Sequence, residues 1–217
     1  MTTQIKSKKR VMDHGEVFTS EREVNAMLDL VKPETERIES RFLEPACGTG
    51  NFLIEILHRK LDVVKRRYKK SKHEYERYAV LAVSSLYGID ILKDNVLHCR
   101  NRLFNYFDEH YTSLHGKNCS DECRSSVRFI LELNIVWGNA LTMKAADTEE
   151  PIVFSEWSAV NGSMLKRRDY LFDHLMNNQS IDEPPPQEHL NFNQNNSSVN
   201  PIKEFPLMHF LRLHQNV

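Results

Sequence analysis

The chain has 217 residues, 40% of them apolar and 27% charged, with a net charge of −1; that is enough for one sizeable core, and it excludes a low-complexity or strongly polyanion-seeking chain. No apolar run reaches membrane-spanning length and no signal-peptide core occurs, so a cytoplasmic chain without a membrane partner is expected. Four cysteines, Cys47, Cys99, Cys119 and Cys123, are too few and too irregular for a secreted disulfide scaffold, so reduced thiols are expected.

Residues 1–11 form a basic N-terminal segment whose cluster from Lys6 to Arg10 reads as solvated. Beyond Gly15-Glu16-Val17-Phe18-Thr19-Ser20, the positions Val24, Met27, Leu28 and Val31 recur at helical spacing, with Thr19 or Ser20 as cap and Glu23 as the reciprocal acid. Lys32-Pro33 ends that helix, and residues 41–45 read as the first strand. Then comes Glu44-Pro45-Ala46-Cys47-Gly48-Thr49-Gly50-Asn51-Phe52. Two glycines one residue apart let the backbone pass where a Cβ would collide with a ligand, and the N–H groups opening the next helix face that ligand.

Phe52, Leu53, Ile56, Leu57 and Val64 share one face of the following helix. It runs into a basic section holding Arg59, Lys60, Lys65, Arg66, Arg67, Lys69, Lys70, Lys72 and Arg77. With no base-reading element interleaved, this section reads as a solvated face, phosphate tracking being the alternative. A short apolar helix from Tyr78 to Ser85 precedes a second strand, residues 86–90, that ends in Asp90. A carboxylate at that place takes ribose hydroxyls as a bidentate acceptor in nucleotide-binding βαβ units, although forty residues separate Gly50 from Asp90 where about 20 is usual.

Lys93 to Phe107 reads as a helix, followed by a polar loop with His110, His115, Cys119 and Cys123, whose order is atypical of zinc knuckles; no metal site is expected. Residues 134–138 form a third strand closing on Gly138-Asn139, and residues 151–155 a fourth, leading into Ser155-Glu156-Trp157. Lys166 to Tyr170 is a basic strand or turn, and a helix runs from Tyr170 to Met176. Residues 177–217 are a polar linker, up to Asn200, and an apolar C-terminal segment. Its Phe205, Leu207, Met208, Phe210, Leu211 and Leu213 are too apolar for a free tail and are expected to dock on the sheet or on a partner.

The glycine stretch in this acid-Pro-x-Cys-Gly-x-Gly-x-Phe form resembles the AdoMet-binding loop of class I methyltransferases, in particular N6-adenine DNA methyltransferases of restriction–modification systems. The resemblance covers residues 12–142 and places Glu44, Ala46, Gly48 and Gly50 at the methionine end of S-adenosyl-L-methionine. Gly15 to Ser20 is similar to the family's Gly-x-x-Phe-Thr-Pro segment, with Ser20 in place of Pro, which implies that Phe18 and Thr19 close over the AdoMet carboxylate. Asp90 would then hold the ribose, Ile91 would flank the adenine ring, and Asn139 would contact the adenine amino group through its carbonyl oxygen.

The family's Asn-Pro-Pro-Tyr-type catalytic element is missing. Ser155-Glu156-Trp157 keeps a polar residue and an aromatic without the prolines, which makes Ser155 and Trp157 the catalytic candidates; Glu183-Pro184-Pro185-Pro186 has prolines but no aromatic. The resemblance implies an α/β fold over residues 12–176, a Rossmann-like methyltransferase sheet flanked by helices and short of the family's last hairpin. It implies methyl transfer to N6 of adenine, with DNA as partner. The alternative is a non-catalytic AdoMet-binding subunit that works through a second modification or specificity subunit, with Phe205 to Leu213 as the docking element.

Overall fold

A computed structural model describes residues 7–14, 16, 17, 19–177 and 200–215. At its centre lies a sheet of three short parallel strands, β1 (Phe42–Glu44), β2 (Leu86–Asp90) and β3 (Ile135–Asn139), with β4 (Lys144–Ala145) antiparallel to β3. The register pairs Leu43 with Tyr87 and Ile89 with Val136. Every residue of β2 is buried, as a central parallel strand covered on both faces requires. Leu86 and Gly88 face the helices, and a Cβ on Gly88 would lie 3.1 Å from both Cys47 and Leu53. Tyr87 and Ile89 point to the other face, against Ile152, Phe154 and Phe172. Strand β1 is an edge: among the described residues no strand pairs with its outer side.

Four helices, α4 (Asn51–Tyr68), α5 (Lys72–Ser84), α6 (Lys93–His115) and α7 (Asp121–Asn134), share one hydrophobic core with that sheet. Before β1 come α1 (Lys8–His14), α2 (Glu21–Asp29) and α3 (Lys32–Thr35). Ser20 and Glu23 form a reciprocal capping box on α2, which buries Val24 and Leu28 but leaves Met27 and Val31 exposed. Pro33 opens α3 rather than closing α2, in the first-turn position where its missing N–H costs nothing.

Lys60, part of the basic section, is not on a solvated face. Its Nζ is fully enclosed and donates to the carbonyl oxygens of Ile38 and Ser40 and to Ser85 Oγ. Burial lowers its pKa to about 7. The unfolded chain, with a lysine pKa of about 10.4, therefore binds more protons than the folded one above pH 7, and stability rises as pH increases through that window. Burial also lowers the pKa of His110, His115 and His209, whose rise falls below the histidine range. A urea midpoint that climbs between about pH 7 and pH 8, and less steeply in Lys60→Met, is thus expected, with the trend reversing above about pH 8.5 because the buried Cys47 and Cys123 thiols ionise there only in the unfolded chain; a slope unchanged in the variant overturns the assignment to Lys60.

The polar loop expected after Phe107 is mostly helix. α6 continues to His115 because Tyr111 is buried: its hydroxyl donates to Glu76 and accepts the Ser120 N–H at 2.7 Å, tying the short connection shut. Ser120 caps α7, and Cys123 lies in the core rather than on a surface loop. Among the described residues no group of His, Cys, Asp or Glu is arranged to hold a metal, and all four cysteines are free thiols.

Residues 151–155 are not a fourth parallel strand. A parallel return needs a crossover of a dozen or more residues, usually a helix, and residues 140–152 contain only turns and β4. The chain instead enters β5 (Val153–Ala159), which pairs along its whole length with antiparallel β6 (Met164–Leu171) through a turn at Asn161-Gly162. α8 (Phe172–Asn177) begins where β6 ends, so the expected helix from Tyr170 starts two residues later. The polar linker lies outside the described residues except at its ends.

The apolar C-terminal segment docks on the second sheet, one of the two placements expected of it. It adds β7 (Lys203–Glu204) and β8 (Met208–His209) to β6, and buries Phe205, Phe210 and Leu213, the last donating its N–H to Ser126 Oγ on α7. Among the described residues no helix is long and apolar enough to cross a membrane.

Candidate functional site

At the carboxyl ends of β1, β2 and β3 lies a cavity of about 540 Å³. Four separate stretches bound it: Glu16, Val17 and Thr19; Glu44 to Gly48 with Asn51 and Phe52; Asp90 to Leu92 with Asn95; and Gly138 to Leu141. Open α/β sheets bind ligands at this end, because the loops and helix N-termini there present unpaired backbone groups.

The glycine turn is built as its sequence requires. Gly48 has φ of +52° and Gly50 of +86°, values that L side chains rarely adopt. Gly50 caps α4 and closes the turn through its N–H to the Cys47 carbonyl at 2.8 Å. It sits behind the cavity wall, where a Cβ would lie 2.6 Å from Cys99 Sγ. The adjoining Cys99 thiol and burial hold the Cys47 thiol far above its ordinary pKa, so Cys47 is not a nucleophile.

Asp90 ties this turn to the second strand. Its Oδ2 accepts the Gly48 N–H at 2.8 Å, while Oδ1 accepts the Leu92 N–H at 2.8 Å and Asn95 Nδ2 at 3.2 Å. A carboxylate offers about four acceptor positions, so three are engaged within the fold and one remains, on Oδ2. Asn139 behaves similarly. Its Oδ1 accepts the N–H groups of Leu141 and Thr142 at 2.9 and 3.3 Å, so the carbonyl oxygen is engaged in holding its own loop.

The N-terminal stretch is fastened over the cavity by residues to which the sequence assigned no role. Arg10, expected in a solvated cluster, donates to Glu16 at 2.5 and 2.7 Å and to Asp94 at 2.7 Å. Asn95 Nδ2 donates to Glu16 at 2.7 Å, linking this stretch to Asp90. Asn51 Nδ2 holds the Thr19 carbonyl at 3.0 Å, and Arg102 fixes Asn51 and Thr49 from behind. Conserved-looking spacing could not have revealed these contacts, because they join segments up to 85 positions apart.

The cavity's charge is one-sided. Glu44 and Asp90 border it, Glu16 does so with Arg10 paired to it, and among its described lining residues there is no lysine or arginine. Burial raises the Glu44 pKa, opposed by the N–H of Ala46. Such a wall suits a ligand with a positive centre and opposes a pyrophosphate.

Of the residues expected at a cofactor, Thr19, Glu44, Ala46, Gly48, Asp90, Ile91 and Asn139 border this one cavity, Gly50 backs it, and Phe18 lies outside the described residues. Ser155 and Trp157 do not join them. Ser155 is buried in the second sheet, donating to Asp169 at 2.7 Å and accepting from Arg167 Nε at 3.1 Å. Trp157 is 6% exposed and packs edge-on against Phe129 of α7. In this arrangement neither can stack or hold a base in the cavity. No family model, curated protein or solved structure matches this chain.

Proposed function

We propose that the chain binds S-adenosyl-L-methionine in the cavity at the ends of β1 to β3, as a methyltransferase-type protein related to adenine-specific DNA methyltransferases. The observation that carries this reading is the wall itself: a glycine turn, a braced aspartate and the Glu44 carboxylate, with Glu16 already paired to Arg10 and no cationic side chain among the described lining. AdoMet carries a sulfonium and an ammonium, which such a wall attracts, whereas a dinucleotide brings two phosphates that it repels. The free position on Asp90 Oδ2 accepts a ribose hydroxyl, the Asn139 amide donates to an adenine ring nitrogen, and Ile91, half-exposed beside them, covers the ring face.

Calorimetric titration tests this. Binding of AdoMet that weakens at least tenfold in Asp90→Ala is expected, since a hydrogen bond to a charged group contributes roughly 1.5–3 kcal/mol; unchanged affinity, or tighter binding of NAD than of AdoMet, overturns it.

A second reading, an AdoMet-binding subunit that needs a partner for catalysis, is favoured by the burial of Ser155 and Trp157 and by the open outer edge of β1. Phe52 is the sole aromatic among the described lining residues, so nothing else in the described wall could stack a target base. N6-methyladenine formed by the isolated chain on unmethylated DNA separates the two readings, in favour of the enzyme.

A further inference from the structure

The far end of α4 carries a different site. Lys65, Arg66, Arg67, Lys69 and Lys70 are all exposed around the turn from α4 into α5, and among the described residues none of the five makes an ion pair. Neighbouring cations do: Arg59 pairs with Asp29 and Glu55, Lys72 with Glu76, and Arg77 with Glu74. The uncompensated charges are therefore confined to the turn. A helix C-terminus favours a cation by about 0.3–1 kcal/mol, which accounts for one or two of them; five together repel one another and gain nothing for the fold.

The turn is rigid. Tyr68 and Tyr78 stack across it with ring centres 4.0 Å apart and planes 4° from parallel, and the Arg77 guanidinium lies 5.1 Å from the Tyr78 ring centre. The aromatic pair that sequence reading missed thus braces the section, so little ordering cost attends binding. Lys65, Arg66 and Arg67 occupy the last turn of α4, Lys69 caps it, and Lys70 follows in the turn.

We propose that this turn holds the phosphate backbone of a nucleic acid, at a site separate from the cofactor cavity and independent of what that cavity binds. Charge complementarity selects an extended polyanion. A lipid surface is disfavoured because no large apolar side chain is exposed between residues 59 and 78, leaving nothing to insert. The site cannot be the cavity's own rim: Lys65 lies fourteen residues beyond Asn51 along α4, about 21 Å at 1.5 Å per residue.

Fluorescence anisotropy with a labelled duplex of random sequence tests it, using the full chain. Binding should weaken with salt along a log–log slope of about −4 to −5 if all five cations engage. A variant with Lys65→Gln, Arg66→Gln, Arg67→Gln, Lys69→Gln and Lys70→Gln keeps helix propensity, and should bind at least tenfold more weakly with most of that slope lost and its melting midpoint retained. Equal binding by the variant overturns the proposal, as does absence of duplex and single-strand binding alongside patch-dependent binding to phosphatidylserine vesicles.

Discussion

Asp169→Ala is expected to cost about 3–5 kcal/mol of folding stability, because it removes one member of a buried, hydrogen-bonded ion pair. Asp169 and Arg167 stand on the inner face of β6, both under 10% exposed. The carboxylate accepts Arg167 Nη2 and Nε at 2.8 Å each and Ser155 Oγ at 2.7 Å, while the guanidinium covers the Phe205 ring at 3.9 Å. Without Asp169 the arginine keeps its charge, its aromatic cover and its enclosure but loses the carboxylate that accepts two of its N–H groups. For a chain of this size each kcal/mol shifts the melting temperature by about 2–4 °C, so a fall of roughly 6–20 °C should appear in a thermal scan. Arg167→Met combined with Asp169→Leu should recover most of the loss, since apolar residues of similar volume replace a buried pair without penalty. A single-variant cost below about 1 kcal/mol would mean that the pair is solvated.

Gly50→Ala should lose about 2–5 kcal/mol and AdoMet binding with it. Two costs add. A φ of +86° places an L residue in the left-handed region, at about 1–2 kcal/mol. The new methyl also meets Cys99 Sγ at 2.6 Å, and overpacking a core contact costs about 1–3 kcal/mol. The costs are separable: Cys99→Ala in the same chain removes the sulfur and should restore only the second part in urea denaturation. Full restoration would show that the backbone carries no strain there, and no loss at all that the glycine turn is differently shaped.

The parallel half of the fold was legible because its signals are local. Glu44 to Phe52 announces a turn that only glycines can make, and the apolar run from Leu86 to Ile89 announces a strand buried on both faces. β1, β2 and β3 fall within a residue or two of where sequence reading puts them. The antiparallel half was misread although it carried a local signal, Asn161-Gly162 between alternating runs, which is a strong short-range hairpin sign. Residues 151–155 were read as a strand and 166–170 as a strand or turn, but not as the two arms of this hairpin, which is what buries Ser155 and Trp157.

By itself, then, the sequence determined the glycine turn, the positions of the three parallel strands and several of the residues that border the cavity, because each depends on residue type and short-range periodicity. Only the tertiary structure decided how those groups are used. Whether the oxygens of Asp90 and Asn139 are free depends on the N–H groups that approach them, of which that of Gly48 comes from 42 positions away. Whether Lys60 is solvated or Phe210 exposed depends on which elements cover it. Burial and hydrogen-bond satisfaction belong to pairs of residues distant in the chain, and those pairs exist only once the chain has folded.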